Sequence, residues 1–353
     1  MSRQNQLPSV TVVICVYNSA HLVGRAIESV LAQNYPKDRL EVIVVDDGSV
    51  DDSMNVAARY PVRTIRHFEN QGVAAARDTG LTLATGEVYV CFDDDCHVSS
   101  DWLRTLTLGY QLPNVNGVGS VICPPKHLRG VVDRYMAASF SGNPIPINLG
   151  ASRHPIKRFF AYVSDQFDWQ FGNGLDKPYA VRQLNGASAS FPVAILKGVG
   201  GWDRSLRWME DADLCRRIAQ EYPQGHFYAV PTAKMVHDPK MSLSHFLRRP
   251  YLRGLDNLRY YRRNHLIPPV FPYPLLWLAG ILIGLAHGWA AALVVAAILP
   301  QILYVWWPLR ARDGGLWHFV FPYLQLGEEM ATISGLARGY LLLQMEAYHA
   351  EQA

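Results

Sequence analysis

The 353-residue sequence lacks the glycine signatures of the commonest nucleotide-binding folds: no Gly-x-Gly-x-x-Gly follows its first apolar run and no Gly-x-x-x-x-Gly-Lys-Ser/Thr occurs anywhere. A dehydrogenase and a P-loop enzyme are thereby set aside. No glycine-rich basic loop follows Val16 either, where Tyr17-Asn18-Ser19 stands, which argues against a nucleotidyltransferase. Cysteine is sparse. The five, Cys15, Cys91, Cys96, Cys123 and Cys215, show no CxxC or metal-ligand spacing, so an odd set of free thiols in a reducing compartment is expected. Met1 to Ser9 holds no apolar core of a secretory signal, and no repeat or low-complexity tract is visible. The net charge of +3 is too small for a dedicated nucleic-acid protein, so no nucleic-acid partner is expected. Finally, Asn264 to Leu309 contains no Asp, Glu, Lys or Arg. That absence divides the chain.

Before it, apolar runs end in acid. Val42 to Val45 leads into Asp46-Asp47-Gly48-Ser49, and Val88 to Phe92 leads into Asp93-Asp94-Asp95. Short β-branched runs read as buried strands, so the carboxylates emerge at one rim of a sheet, where open α/β sheets bind ligands. Three adjacent carboxylates repel one another unless a cation or sugar hydroxyls compensate them. Their hard oxygens suit Mg2+ or Mn2+. Between the clusters the pattern alternates. Strands are expected at 11–16, 41–46, 62–67 and 87–93, and helices at 21–33, 51–60 and 72–83, which implies βαβ units and a largely parallel sheet.

These residues carry a family resemblance. Val12 to Asn18, Ile43 to Asp51, Asn70-Gln71-Gly72 through Arg77, Phe92 to Asp95, and Gly200-Gly201-Trp202-Asp203 followed by Glu210-Asp211 resemble, in order, the motifs of family 2 glycosyltransferases. The resemblance spans roughly residues 10–240. It implies an α/β GT-A fold with a Rossmann-like mixed sheet and flanking helices, a nucleotide-diphosphate sugar donor (UDP- or GDP-sugar), a divalent metal and inversion at the anomeric carbon. Tyr17 would then lie against the donor base, with Asn18 beside it. Asp46 or Asp47, the latter favoured, would accept from the base or ribose. Gly72 would let the backbone approach the nucleotide. Arg77 would pair with a phosphate or carboxylate, or with a neighbour on its own helix. Asp93 and Asp95 would hold the metal, Asp95 as the direct ligand, with Asp94 on the donor side and His237 as a third ligand. Asp78 stands where many relatives carry Asn and receives no donor contact.

Inversion needs a base opposite the leaving group. Asp211, with Glu210 beside it, opens an expected helix over 211–219 and is either that base or, with Asp213, a helix cap. Asn185, Gly186 and Ala187, together with Trp202, are expected on the acceptor side.

The charge-free stretch reads as membrane material. Val270 to Ala286 and Trp289 to Trp307 could form two segments turning at His287-Gly288. About 20 residues make one crossing, so the proline-rich first segment leaves a transmembrane and a re-entrant hairpin both open. Arg248, Arg249, Arg253, Arg259, Arg262 and Arg263 precede it and Arg310 and Arg312 follow, which places both flanks in the cytoplasm, at an inner or other membrane. The expected divisions are a catalytic domain at 1–240, a basic interfacial segment at 241–266, the hairpin at 267–309 and interfacial helices at 310–353. A membrane and a lipid or lipid-linked acceptor are the expected partners. The Gln-x-x-Arg-Trp segment of processive synthases is missing after Asp211, which favours single transfer. A polymerising synthase and a catalytically silent membrane scaffold remain the alternatives.

Overall fold

The computed structural model describes residues 7–128, 130–139, 160, 177–238, 242–268, 271–309 and 315–352. The described residues fall into two compact units, 7–126 with 177–238, and 127–139 with 242–352.

In the first unit, β1 (Val10–Val16), β2 (Leu40–Asp46), β3 (Arg63–Arg66) and β4 (Val88–Asp93) run parallel in the order β3-β2-β1-β4. β1, β2 and β4 are covered on both faces, which is why they read as apolar runs, whereas the edge strand β3 exposes Arg63 and Arg66. Val12 and Ile14 of β1 face one cluster, with Val23, Ala26, Ile27 and Val30 of α1 (Val23–Leu31) and Trp102, Leu103 and Leu106 of α4 (Trp102–Leu108). Val13 and Cys15 face the other, with Ala74, Ala76 and Leu81 of α3 (Val73–Leu83). The helix expected over 51–60 shrinks to α2 (Ser53–Ala57). The Asp51 carboxylate is spent on Ala20 N, Ser53 N and Ser53 Oγ, and Pro61 restricts Tyr60.

The expectation of a largely parallel sheet is corrected. Among the described residues five further strands, β5 (Cys96–Val98), β6 (Val115–Cys123), β7 (Tyr179–Val181), β8 (Ala189–Pro192) and β9 (His226–His237), extend it to nine, in the order β3-β2-β1-β4-β8-β6-β9-β5 with β7 also on β9. Four strand pairings are parallel and four antiparallel, so the sheet is mixed. The antiparallel β5–β9 pairing sets Cys96 opposite His237, and Asp238 N donates to Asp95 O at 3.0 Å. That register brings the late histidine to the acidic end of β4. Short helices α6 (Val193–Gly198) and α7 (Glu210–Glu221) complete this unit.

The second unit is helical: α5 (Val131–Ser139), α8 (Leu243–Arg263), α9 (Pro272–Ala286), α10 (Trp289–Leu303), α11 (Trp306–Leu309) and α12 (Phe321–Gln352). It takes α5 from within the stretch read as catalytic domain. An aromatic cluster of Tyr135, Phe246, Tyr273, Tyr304, Trp306, Trp307 and Phe321 forms its core. The turn at His287-Gly288 falls where expected, but α9 starts at Pro272, whose fixed φ suits a first turn. Val270, Arg310 and Arg312 lie outside the described residues. Among the described residues after 314, a short 3-10 turn, Leu316–Phe319, precedes α12, which runs over 32 residues. No helix among the described residues is long and apolar enough to cross a membrane.

Candidate active site

The carboxyl ends of the parallel strands meet at one rim. Asp46 and Asp47 are buried there, 1% and 4% exposed, and each has at least one carboxylate oxygen on backbone N–H groups. Asp46 Oδ1 accepts from Ser49 N at 2.9 Å and Oδ2 lies 3.4 Å from Arg66 Nε. Asp47 Oδ1 accepts from Gln71 N, and Oδ2 from Gly72 N at 2.8 Å. His67 Nδ1 lies 2.7 Å from the same Oδ1, and His67 Nε2 2.9 Å from Thr79 Oγ1. Asp47, favoured as the base acceptor, is thus the anchor of the 70–72 turn. Gly72 is needed at its end because φ is +94° there, although a Cβ would meet no atom within 4 Å. Asn18 Oδ1 accepts from Val50 N and Asn18 N donates to Ser49 Oγ, which ties the first two strand ends together. Three large hydrophobic side chains are exposed here, Tyr17, Val50 and Phe68, one beyond each of β1, β2 and β3. Tyr17 was expected at the base; Phe68 belongs to no motif.

At the end of β4 the three aspartates have separate partners. Asp93 Oδ1 accepts from Arg77 Nη2 at 3.2 Å. Asp94 accepts from Tyr17 N, and burial, then the charge of Asp95, pushes its carboxyl up to about 7. Asp95 Oδ2 lies 3.1 Å from His237 Nε2. With Cys96 Sγ these ligand atoms fall within 4.8 Å of one another. Two cis ligands of an ion bound at about 2.1 Å sit about 3.0 Å apart, so the Asp95–His237 pair fits Mn2+ or Mg2+. Burial raises the Cys96 thiol, which keeps it protonated and a poor ligand. Asp93, expected as a ligand, is engaged by Arg77 instead.

Arg77 is the hub. Its guanidinium is 3% exposed and bridges Asp93 on β4 to Glu210 on α7, with Nη1 2.7 Å from Glu210 Oε1. The ion pair within its own helix is not formed. The position expected to meet a donor phosphate is instead internal, with both Nη atoms on carboxylates. Burial, then the neighbouring charge of Asp211, raises the Glu210 carboxyl, and Arg77 opposes the rise. Beside it Asp211 is half-buried: Oδ2 accepts from Gly186 N at 3.1 Å and Oδ1 from Ala212 N at 2.7 Å. The helix is not capped by these acids. Met209 occupies the cap with φ +63°, and Asp213 is clamped by Arg216 and Arg217.

Asn185 turns the chain: its Oδ1 accepts from Ala187 N and its carbonyl from Ser188 N. Gly186 lies on the guanidinium, and a Cβ there would stand 2.5 Å from Arg77 Nη1. Ala187 is buried in the first core cluster. Trp202 corrects the acceptor-side expectation, since its ring is 4% exposed and packs against Tyr89 at 5.2 Å and Phe191 at 6.3 Å. His67 and the Gly186–Arg77 contact escape sequence reasoning because neither has local spacing; both join positions more than ten residues apart.

Residues 11–134 match the model of glycosyl transferase family 2. Glycosyltransferase AglE of Haloferax volcanii is 36% identical over 103 residues, 28% of this chain and 34% of that protein. The pre-mycofactocin glycosyltransferase of Mycobacterium tuberculosis is 28% identical over 249 residues, 69% of this chain and 46% of that protein. Mannosyltransferase PcManGT from Pyrobaculum calidifontis, solved in complex with GDP-Man and Mn2+, superposes with a TM-score of 0.56 at 21% identity, over 96% of this chain and 88% of that one. The mixed sheet with flanking helices is therefore of the GT-A class. Residues 11–134 thus carry a glycosyl transferase family 2 domain, and the relatives named here are themselves glycosyltransferases. The chain spans about a third of the length of the Haloferax relative and about half of that of the Mycobacterium relative.

Proposed function

We propose that the chain moves one sugar from a UDP- or GDP-sugar to a hydroxyl of a lipid or lipid-linked saccharide at the cytoplasmic face of a membrane, with inversion. The observation that carries this reading is that the Asp93–Arg77–Glu210 bridge joins the β4 end, where Asp95 meets His237, to the helix turn that holds Asp211. Asp95 and His237 would hold Mg2+ or Mn2+, which offsets the charge growing on the departing nucleotide diphosphate. Asp211 takes the proton of the acceptor hydroxyl as its oxygen attacks the anomeric carbon. The bond to the diphosphate breaks, and its electron pair leaves with the nucleotide. Arg77 holds Glu210, and with it the turn that carries Asp211, against the β4 end. Tyr17, 49% exposed, offers its ring to the base.

The test is transfer by purified protein over a panel of nucleotide sugars, with Mn2+, Mg2+ or chelator and with lipid extract. Metal-dependent label in the lipid fraction is expected. Intact donors throughout would overturn the reading.

A further inference from the structure

We infer that the α9–α10 hairpin enters an anionic bilayer from one side, as a re-entrant element that ends inside the hydrocarbon and does not cross it. Each helix has 15 residues, a length of about 22 Å against a core of about 30 Å. The tip therefore passes the midplane and stops short of the far headgroups.

The surface suits lipid and no aqueous partner. Leu275, Leu282, Ile283, Leu293, Val294 and Ile298 are all more than half exposed, on helices without a single charge. A helix apolar all round belongs in an apolar medium. The seam between the two is built from small residues. A Cβ on Gly280 would lie 2.7 Å from Leu299, and one on Gly284 2.8 Å from the Ala292 backbone, so the four-residue glycine spacing lets the helices touch. Such packing holds helices together where lipid removes the hydrophobic drive.

Backbone N–H groups at the turn find partners within the hairpin, as a lipid site demands. His287 N donates to Gly284 O, Gly288 N to Leu285 O and Ala292 N to Gly288 O. Trp277 Nε1 donates across the hairpin to Ala296 O at 3.2 Å. At the open end, Arg262 and Arg263 close α8 nine or more residues before α9, exposed and suited to anionic headgroups.

The experiment needs no transfer activity, so it stands or falls apart from the proposed reaction. A spin label at His287→Cys, in a Cys123→Ser background whose remaining thiols are buried, is read on the full chain bound to vesicles of phosphatidylethanolamine and phosphatidylglycerol. Oxygen should broaden the signal while a water-soluble nickel chelate, added outside or trapped inside, should not. Broadening by trapped chelate alone would show a crossing, and broadening by external chelate would show a hairpin left in water; either overturns the inference. Ile283→Lys with Ile298→Lys should cut vesicle flotation more than tenfold at unchanged helix content. Arg262→Gln with Arg263→Gln should lower affinity for anionic vesicles about tenfold or more and leave neutral vesicles unaffected. Unchanged flotation of the double-lysine variant would equally refute it.

Discussion

The sheet rim and the helical hairpin solve opposite problems. At the rim, charge is taken out of water and matched group by group: Arg77 with Asp93 and Glu210, Asp213 with Arg216 and Arg217, Asp47 with backbone N–H groups and His67. In the hairpin, charge is excluded and bulky apolar groups such as Leu275, Leu282, Ile283, Leu293 and Ile298 are left facing out. The difference shows where each region is fragile. A rim substitution that removes one partner strands another, whereas a hairpin substitution acts through shape or through the surrounding medium.

The comparison is broken most sharply at the reacting groups. Asp211→Asn should lower transfer by about a thousandfold, within the usual range for loss of a positioned base. Donor affinity, read by calorimetry with Mn2+, should change less than threefold. Asp95→Ala should abolish transfer to a similar degree and also remove the metal dependence of donor binding. Equal donor affinity in the wild type and Asp95→Ala, with and without metal, would show that the Asp95–His237 pair holds no ion.

Next in size is the hub. Arg77→Met leaves the buried Glu210 and the half-buried Asp93 without their cation, and removal of one partner of a buried pair costs about 3–5 kcal/mol. Urea denaturation followed by Trp fluorescence should show that loss. Arg77→Lys should recover part of it, because a point charge can reach one carboxylate but not bridge two. If Arg77→Met unfolds at the wild-type midpoint, the bridge contributes nothing.

Shape is tested on both sides by adding one small group to a glycine. Gly186→Ala drives a methyl into Arg77, and Gly284→Ala drives one into the Ala292 backbone. Overpacking of this kind costs about 1–3 kcal/mol. The two should differ in readout. Gly186→Ala should lower kcat, through the displaced guanidinium and Glu210, while Gly284→Ala should lower thermal stability in detergent and leave kcat intact.

Sequence reasoning reached the pieces that depend on local period. The runs ending at Val16, Asp46 and Asp93 became β1, β2 and β4 within a residue or two, and His287-Gly288 became the turn between α9 and α10. It also marked Asp95, His237 and Asp211, whose residue types suit metal and proton chemistry. It could not see what long-range register decides. The antiparallel strands after residue 95 have short runs with no clean alternation, so the mixed sheet was legible only through the family resemblance. Trp202 looked like a site residue because it follows a motif glycine pair, but tertiary packing places it on Tyr89. Arg77 was ambiguous for the same reason: its partners lie 16 and 133 residues away.

The remaining prediction concerns Asp94, and its sign runs against the usual behaviour of paired carboxylates. The folded protein holds this carboxyl at about 7, against an ordinary value of 3.8, chiefly because it is buried and then because Asp95 is charged. Between those values the folded chain keeps a proton that the unfolded chain has lost, so Asp94 makes stability fall as pH rises from about 4 to about 7. Below that window it contributes nothing, and above it the penalty is complete. Asp94→Asn removes the titration. The advantage of Asp94→Asn over wild type in metal-free urea titrations should therefore grow between pH 5 and pH 8. Mn2+ at Asp95 adds a positive charge beside Asp94, so it should favour the ionised carboxylate and shrink that advantage. A constant difference across the range would show that the burial of Asp94 imposes no such cost.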